Sequence, residues 1–502
     1  MYSIKLLAPI LVSLLFTACT KLGPDYIAPK EQALPGSWDT NNSVSINATK
    51  EWWKIFNDAT LDELIQKTYE QNFDLRSAGL RILQARAALG ISENLTYPQI
   101  QTLSGSLAGV RQNQNNFLST GASFDLAWEM DVWGKYARNI ESSEATLYAS
   151  VASYNDILVS LIAEVARNYI NYTTAKERIA YAKSNIAIQE RVTKMTEVQF
   201  NAGNVSELDM QQAKTQLYST QALIPTFELS MIQSRNALAV LLAILPSEVD
   251  KILGKTQEKQ DTTISSYTKV TSFIPMVTLS ESFGIEAEII RRRPDIQVAV
   301  LQAQAQSARI GSAQSELYPH FSPFGSIGFN ANNAVNGWTS FSDSIGVSAG
   351  PSFSWNIFQY GRIKDQVRIQ DAKFQESLNN YNKKLLKAVQ EVSNALNGYK
   401  LTQKQLELNK KTIQASVRAF DISMLQYNNG MVDYQRLLST VEKLIRNEDA
   451  YAQNKGATAT QVVLLYKALG GGWEINQDKT YIHKDDLETM QERTDWGEYL
   501  NE

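Results

Sequence analysis

Two stretches of this chain are very long and almost free of helix breakers. Lys135 to Phe200 contains neither glycine nor proline, and Arg362 to Tyr427 contains only Gly398. Each begins directly after a glycine, Gly134 or Gly361. At about 1.5 Å per residue, either stretch reaches roughly 100 Å if it is helical throughout. No ordinary globular core needs that length. Leu158, Leu161, Val165, Tyr169 and Tyr172 recur at three and four spacing, the mark of a helix buried along one stripe. These are packed, coiled-coil-like helices rather than membrane spans, because no apolar run beyond the N-terminus reaches about 18 residues.

A period-two pattern precedes each long stretch. From Ser344 onward, Ile345, Val347, Ala349, Phe353, Trp355 and Ile357 alternate with Ser344, Gly346, Ser348, Gly350, Ser352, Ser354 and Asn356. From Ser123, the residues Phe124, Leu126, Trp128, Met130 and Val132 alternate with Ser123, Asp125, Glu129 and Asp131. An extended strand puts such sets on opposite faces, one apolar and one small and polar. A soluble sheet with one wet face reads this way. So does a membrane barrel, whose apolar face meets lipid and whose polar face meets a water-filled lumen.

The formal net charge is −4 and no long basic tract is present, so nucleic acid is not an expected partner. Residues 1–18 carry Lys5, an apolar run from Leu6 to Phe16, and small Thr17 and Ala18. They read as a secretory signal, too short for a stable span. Cys19 follows and is the only cysteine, which excludes an intramolecular disulfide. LLFTAC resembles a bacterial lipoprotein signal, which implies a lipidated Cys19 as the mature N-terminus. It departs from the usual pattern in having Phe16 where Leu is commoner.

In chain order the reading is a lipoprotein signal peptide (1–18), an N-terminal strap and linker (19–60), a first repeat (61–245), a connecting region (246–282), a second repeat (283–470) and a charged C-terminal extension (471–502). A helical pattern runs from Glu51 to about Leu95, with Trp52, Trp53 and Phe56 expected to anchor the strap in a packed groove. A hairpin at about 99–132 reverses around Gln112 to Asn116. After the long helix, Gly203 supplies a stop, and Ser206 with Asp209 has the form of a capping box. The next helix is expected to end at Pro246. Phe73-Asp74-Leu75, Gly90 and Tyr97-Pro98 are echoed by Pro294-Asp295-Ile296, Gly311 and Tyr318-Pro319, all 221 positions on. Trp128, Gly134, Phe200, Asn201, Gly203 and Val205 are echoed by Trp355, Gly361, Tyr427, Asn428, Gly430 and Val432, all 227 positions on. The second hairpin, about 320–357, lies where the offset changes. The chain is therefore a tandem duplication of helix, hairpin, long helix, turn and helix.

Four strands cannot close a barrel wide enough to conduct solutes. An open apolar sheet in lipid leaves unpaired edge groups that cost several kcal/mol each. Closure has to come from other subunits, and three copies give about twelve strands, a plausible barrel with an aqueous lumen.

LGPDYIAP, EWWKIFNDATLDELI, AWEMDVWGK, NAGNVSELDMQQA, RRRPDIQVA, SELYPHF and LYKALGGGW resemble the signature stretches of the outer membrane factor family, in its lipoprotein branch serving resistance-nodulation-division efflux pumps. The resemblance runs from Cys19 to about Trp473. It implies a mostly α protomer with a transmembrane β part, a homotrimer with a twelve-stranded outer-membrane β-barrel, and a periplasmic α-helical barrel below it. It also implies a periplasmic adaptor (membrane fusion) protein, an inner-membrane transporter, outer-membrane lipid as surroundings, and no cofactor. By the same resemblance the closure lies at the periplasmic turns, Phe200 to Asp209 and Tyr427 to Ser439. Phe200, Asn201, Gly203, Val205, Tyr427, Asn428, Gly430 and Val432 are then the tip and adaptor-contact candidates. Asp209 matches the family's first-repeat gate aspartate and is equally read as the capping-box acid. Ser439 stands where the family often has a second aspartate, so Asp433 is a substitute candidate as well as a helix-start acid.

Arg291, Arg292 and Arg293 precede Pro294 and read as a solvated or salt-bridged face. The two histidines, His320 and His483, lie far apart, so neither a metal site nor a catalytic triad is expected, and no catalytic residue is assigned. The expected function is an outer-membrane exit duct of a tripartite small-molecule efflux pump. Type I protein secretion through the same fold is the alternative, and a non-conducting periplasmic spacer lipoprotein is the alternative from another class.

Overall fold

The computed structural model describes residues 21–28, 50–112, 115–256, 271–279, 287–334, 338–476 and 479–500. The signal peptide, Cys19, most of the linker and part of the connecting region lie outside them. At Gly134 and Gly361 the backbone takes φ of 73° and 87°. That left-handed geometry suits glycine, and it turns the chain from sheet into helix at both repeats.

Besides two short turns of helix (Ala287–Arg291 and Phe341–Ser344), the described α-helices are α1 (Ala59–Gln71), α2 (Phe73–Asn94), α3 (Lys135–Asn201), α4 (Glu207–Gln221), α5 (Leu223–Leu242), α6 (Pro246–Leu253), α7 (Pro294–Ser315), α8 (Arg362–Asn428), α9 (Tyr434–Ala468) and α10 (Lys484–Arg493). The strands are β1 (Ile100–Gln112), β2 (Asn115–Ala127), β3 (His320–Asn332) and β4 (Ile345–Ser354), in one antiparallel sheet of order β1-β2-β3-β4. The two long helices have 67 residues each, about 100 Å at 1.5 Å per residue. Repeat 1 supplies α2, the first hairpin, α3 and α4–α5. Repeat 2 supplies α7, the second hairpin, α8 and α9.

Packing along the wall is uneven between repeats. Helix α7 lies between α3 and α8, whereas its counterpart α2 has a substantial contact only with α3 among the described helices. The most apolar stretch of α3 is more than half buried inside the fold, as befits a packed wall helix. The main core is built on Leu158, Ile162, Val165, Tyr169 and Ile170 of α3. Trp52 stacks on Tyr466 with ring centroids 5.4 Å apart, and Trp53 and Phe56 are buried beside it.

Several local readings are corrected. The helix expected from Glu51 to Leu95 is a 3-10 turn (Trp52–Phe56) followed by α1 and α2. Asn72, extended at ψ 127°, ends α1, and its side chain accepts from Leu75 N at 2.9 Å to cap α2. Pro246 opens α6 rather than ending a helix. A first-turn proline loses nothing, because the amide it lacks has no intrahelical partner. The preceding helix ends instead at Ala243, left-handed at φ 54°. Strand β2 stops at Ala127, so Trp128 lies beyond it, as Trp355 lies beyond β4. Both indoles turn to the helix ends: Trp128 Nε1 donates to Thr96 O at 2.9 Å and Trp355 Nε1 to Leu317 O at 3.0 Å. These carbonyls are themselves 221 positions apart.

Candidate functional site

The sheet carries two chemically distinct faces. One register row is Leu103, Phe124, Ile327 and Val347, one residue from each strand. Leu103 is 80% exposed and Val347 73%, a large apolar surface left uncovered among the described residues. The adjacent row is Ser104, Ser123, Gly328 and Gly346. On the other side of the Leu103 row lies Thr102, Asp125, Ser326 and Ser348, which shares a face with Ser104. On this face Ser104 and Ser123 share a 2.9 Å hydrogen bond, and Asp125 accepts from Ser123 at 2.8 Å and Ser326 at 2.6 Å. Small side chains leave the concave surface open, and the hydroxyls and Asp125 make it wettable. Among the described residues, β1 and β4 each keep one edge without a paired strand.

Polar side chains knit the sheet to the wall. Asp131 accepts from Tyr136 N at 3.1 Å and Ala137 N at 2.8 Å, capping α3. Glu129 meets His320 Nδ1 at 2.8 Å and Tyr136 Oη at 3.0 Å, and Trp133 Nε1 donates to Pro319 O at 2.8 Å. His483 caps α10. Arg293 is buried, donating to Asp295, Glu391 and Ala468 O; of the arginine triple it is an internal ion-pair residue.

At the far end of the long helices the two turns share one geometry. Gly203 N donates to Phe200 O at 2.9 Å and Asn204 N to Gln199 O at 2.9 Å. Gly430 N and Met431 N repeat this with Tyr427 O and Gln426 O at 3.0 and 2.8 Å. Gly203 and Gly430 have φ of 79° and 69°, with open space where a Cβ would stand, so conformation alone requires glycine there. Ser206 and Asp209 form a reciprocal capping box: Ser206 N donates to Asp209 Oδ2 at 3.0 Å and Asp209 N to Ser206 Oγ at 3.3 Å. Asp433 caps α9 through Arg436 N at 3.0 Å, and Ser439 Oγ donates to Arg436 O at 2.9 Å.

Tyr427 is buried with Tyr434, Leu437 and Phe420, while Asn201, Gly203, Asn428 and Gly430 are exposed and Phe200, Val205 and Val432 half-buried. Val198, Leu208, Leu425 and Met431 add exposed apolar side chains at this end. Thus the structure brings the candidates of both repeats to one end, with Asp209 and Asp433 already engaged as helix caps.

Sequence reasoning missed the buried charges between these ends. Lys455 Nζ meets Glu177 Oε1 at 2.8 Å, both buried, and Glu177 Oε2 accepts from Ser272 Oγ, Phe273 N and Ile274 N. This pair clamps the connecting region onto α3 and α9. Glu448, buried against Asn185 at 2.6 Å, is pushed up to about 7 by burial, opposed by that hydrogen bond. Arg178 grips Asp449 through Nε and Nη2 at 2.6 and 3.1 Å. The partners are far apart in sequence, and a lone Lys455 inside a helical stripe was the only sign.

The model of the family described as "Outer membrane efflux protein" matches residues 64–243 and 287–471, close to the two repeats. Nodulation protein T of Rhizobium leguminosarum bv. trifolii is 28% identical over 394 residues, covering 76% of this chain and 79% of that protein. The probable outer membrane lipoprotein SilC of Salmonella typhimurium is 25% identical over 482 residues, covering 94% and 100%. The solved outer-membrane channel OprN superposes with a TM-score of 0.77 at 29% identity, covering 90% of this chain and all of that one.

Proposed function

We infer the function from one premise: this chain belongs to the outer membrane efflux protein family. It is an outer-membrane channel, the exit duct of an efflux system. The observation that carries the reading is the sheet, whose exposed apolar row backs a row of serine and glycine. Lipid on one side and water on the other is the environment that makes both faces favourable. Conduction is then passive. The wall residues hold a wet lumen, and the tip decides when it is continuous with the pump.

We propose that three copies form one duct. The unpaired edges of β1 and β4 pair between copies, giving about twelve strands and no open edge in lipid. The wall argues the same way: α7 is held on both sides, whereas among the described helices α2 and α8 each have one flank without a neighbour, which a second copy would fill. The tip is proposed to dock a periplasmic adaptor through Val198, Leu208, Leu425 and Met431, with an inner-membrane resistance-nodulation-division transporter supplying small-molecule cargo. Cys19 is proposed as the lipid-bearing residue, consistent with a relative named as an outer membrane lipoprotein.

The test is accumulation of a panel of dyes and antibiotics in a deletion strain, with and without this gene, with secreted proteins assayed in parallel. Raised accumulation that the gene reverses supports small-molecule efflux. Unchanged accumulation with a missing secreted protein assigns the duct to protein secretion.

A further inference from the structure

Gly90 of α2 and Gly311 of α7 hold equivalent places in the two repeats, and each lies under a segment remote in sequence, Gly311 under Leu22 and Gly90 under Tyr499. A Cβ on Gly311 would stand 2.4 Å from Leu22 O and 2.8 Å from Arg138 Nε; one on Gly90 would stand 2.1 Å from the Tyr499 hydroxyl oxygen. Farther along α2, a Cβ on Gly79 would stand 2.1 Å from Tyr481 O. Arg76, Gly79, Arg86 and Gly90 share one stripe of α2, and residues 479–500 lie along it. Asp486 takes Arg76 in a two-pronged ion pair at 2.9 and 2.6 Å. Arg86 Nη1 donates to Tyr499 O at 3.3 Å, and the Tyr481 ring stands edge-on to Tyr154 at 5.1 Å. The charged extension is thus a seated strap.

The N-terminal strap shows what such a segment does in this wall. Leu22 and Gly23 accept from Arg138 Nε and Nη2 at 2.9 and 3.0 Å while Leu22 sits on Gly311. The strap therefore stitches α7 to α3 across the seam between repeats. The matching seam for α2 has no second long helix among the described residues; by repeat symmetry, in the trimer proposed above, its partner is α8 of the next copy. The counterpart of Arg138, four residues past the helix-opening glycine, is Asp365. Asp365 is exposed and, among the described residues, is ion-paired across one turn with Arg368 at 2.8 Å. Charge and strap chemistry both invert between the repeats: carbonyls of residues 22–23 face the Arg138 cation, whereas the Tyr499 phenol, a donor, lies over Gly90 and the residue equivalent to Arg138 is an anion.

Resting on the trimeric reading above, we propose that residues 482–500, beyond the Tyr481 ring that packs on α3 of its own chain, form an inter-subunit strap, lying in the outer groove between α2 of its own chain and α8 of the neighbouring copy, with the Tyr499 hydroxyl beside Asp365 of that copy. The strap does between copies what residues 22–25 do within one.

The experiment uses the full-length chain in detergent, carrying either Tyr499→Cys with Asp365→Cys or Tyr499→Cys with Arg86→Cys, treated with a short bismaleimide. Light scattering gives the oligomeric state of each sample. The proposal expects two- and three-chain bands from the first pair and an intrachain product from the second. A benzoylphenylalanine at Trp496 gives the same readout without touching Asp365. A trimer by light scattering that yields only the intrachain product, or no product from either pair, overturns the strap and leaves the ring intact. A single chain by light scattering overturns the ring and the strap with it.

Discussion

The Tyr427 hydroxyl donates to Gln199 Oε1 at 3.0 Å, tying the last turn of α8 to the last turn of α3. Repeat 1 has Phe200 in the equivalent place, so each protomer has one such tie. Tyr427→Phe removes it while keeping the ring packed against Tyr434. A hydrogen bond of this kind contributes about 1 kcal/mol, so the tip equilibrium should move about fivefold toward open. Single-channel recordings in a lipid bilayer should show a higher open probability, and an unchanged trace would remove Tyr427 from the closure.

Asp209 has two candidate roles that separate by substitution. Ser206→Ala breaks the capping box but keeps the charge, at a cost of about 1 kcal/mol. Asp209→Asn keeps a hydrogen-bond acceptor and loses the charge. A charged constriction predicts raised conductance for Asp209→Asn and not for Ser206→Ala. Equal behaviour of the two would make Asp209 a cap alone.

Lys455→Ala leaves Glu177 buried with no cation, and breaking a buried pair in this way costs about 3–5 kcal/mol. The segment 271–279 should loosen with it, because Glu177 also holds Ser272, Phe273 and Ile274. Thermal unfolding by circular dichroism should fall sharply for Lys455→Ala and recover much of the loss in Lys455→Met with Glu177→Gln. Equal melting of the single variant and the parent would sink the clamp.

Glu448 binds its proton more tightly folded than unfolded, with a folded value of about 7 against 4.5. Its protonated form is the comfortable one, so its contribution is fully present below about pH 4.5, declines as pH rises, and is lost above about pH 7. Glu448→Gln should therefore melt higher than the parent at pH 8 and alongside it at pH 4. Parallel melting curves across that range would contradict the assignment.

Cys19→Ser should abolish incorporation of radiolabelled palmitate in cells. Continued labelling of the variant would move the lipid elsewhere or dismiss it.

Long-range order was legible wherever a periodic pattern reports it. The absence of glycine and proline between Lys135 and Phe200 marks a helix that the structure closes at Asn201, and the alternation from Ile345 marks a strand that runs to Ser354. The duplicated turns at Gly203 and Gly430 were readable because left-handed backbone selects glycine and leaves it in register between repeats. Boundaries were less legible: Asn72 divides an apparently continuous helix, and Pro246, expected to stop one helix, opens the next. In both cases a single side chain or ring acts at the end of a helix, where the apolar period is silent.

By itself, then, the sequence determined the duplication, the long helices and the two-faced strands, since each is written in local spacing and repeated at constant offset. The tertiary structure alone decided that Trp128 and Trp355 turn back to helix-end carbonyls, that Lys455 finds Glu177, and that the C-terminal extension lies across Gly79 and Gly90. Those contacts join residues remote along the chain, and their partners are chosen by how whole helices pack rather than by any neighbour in sequence.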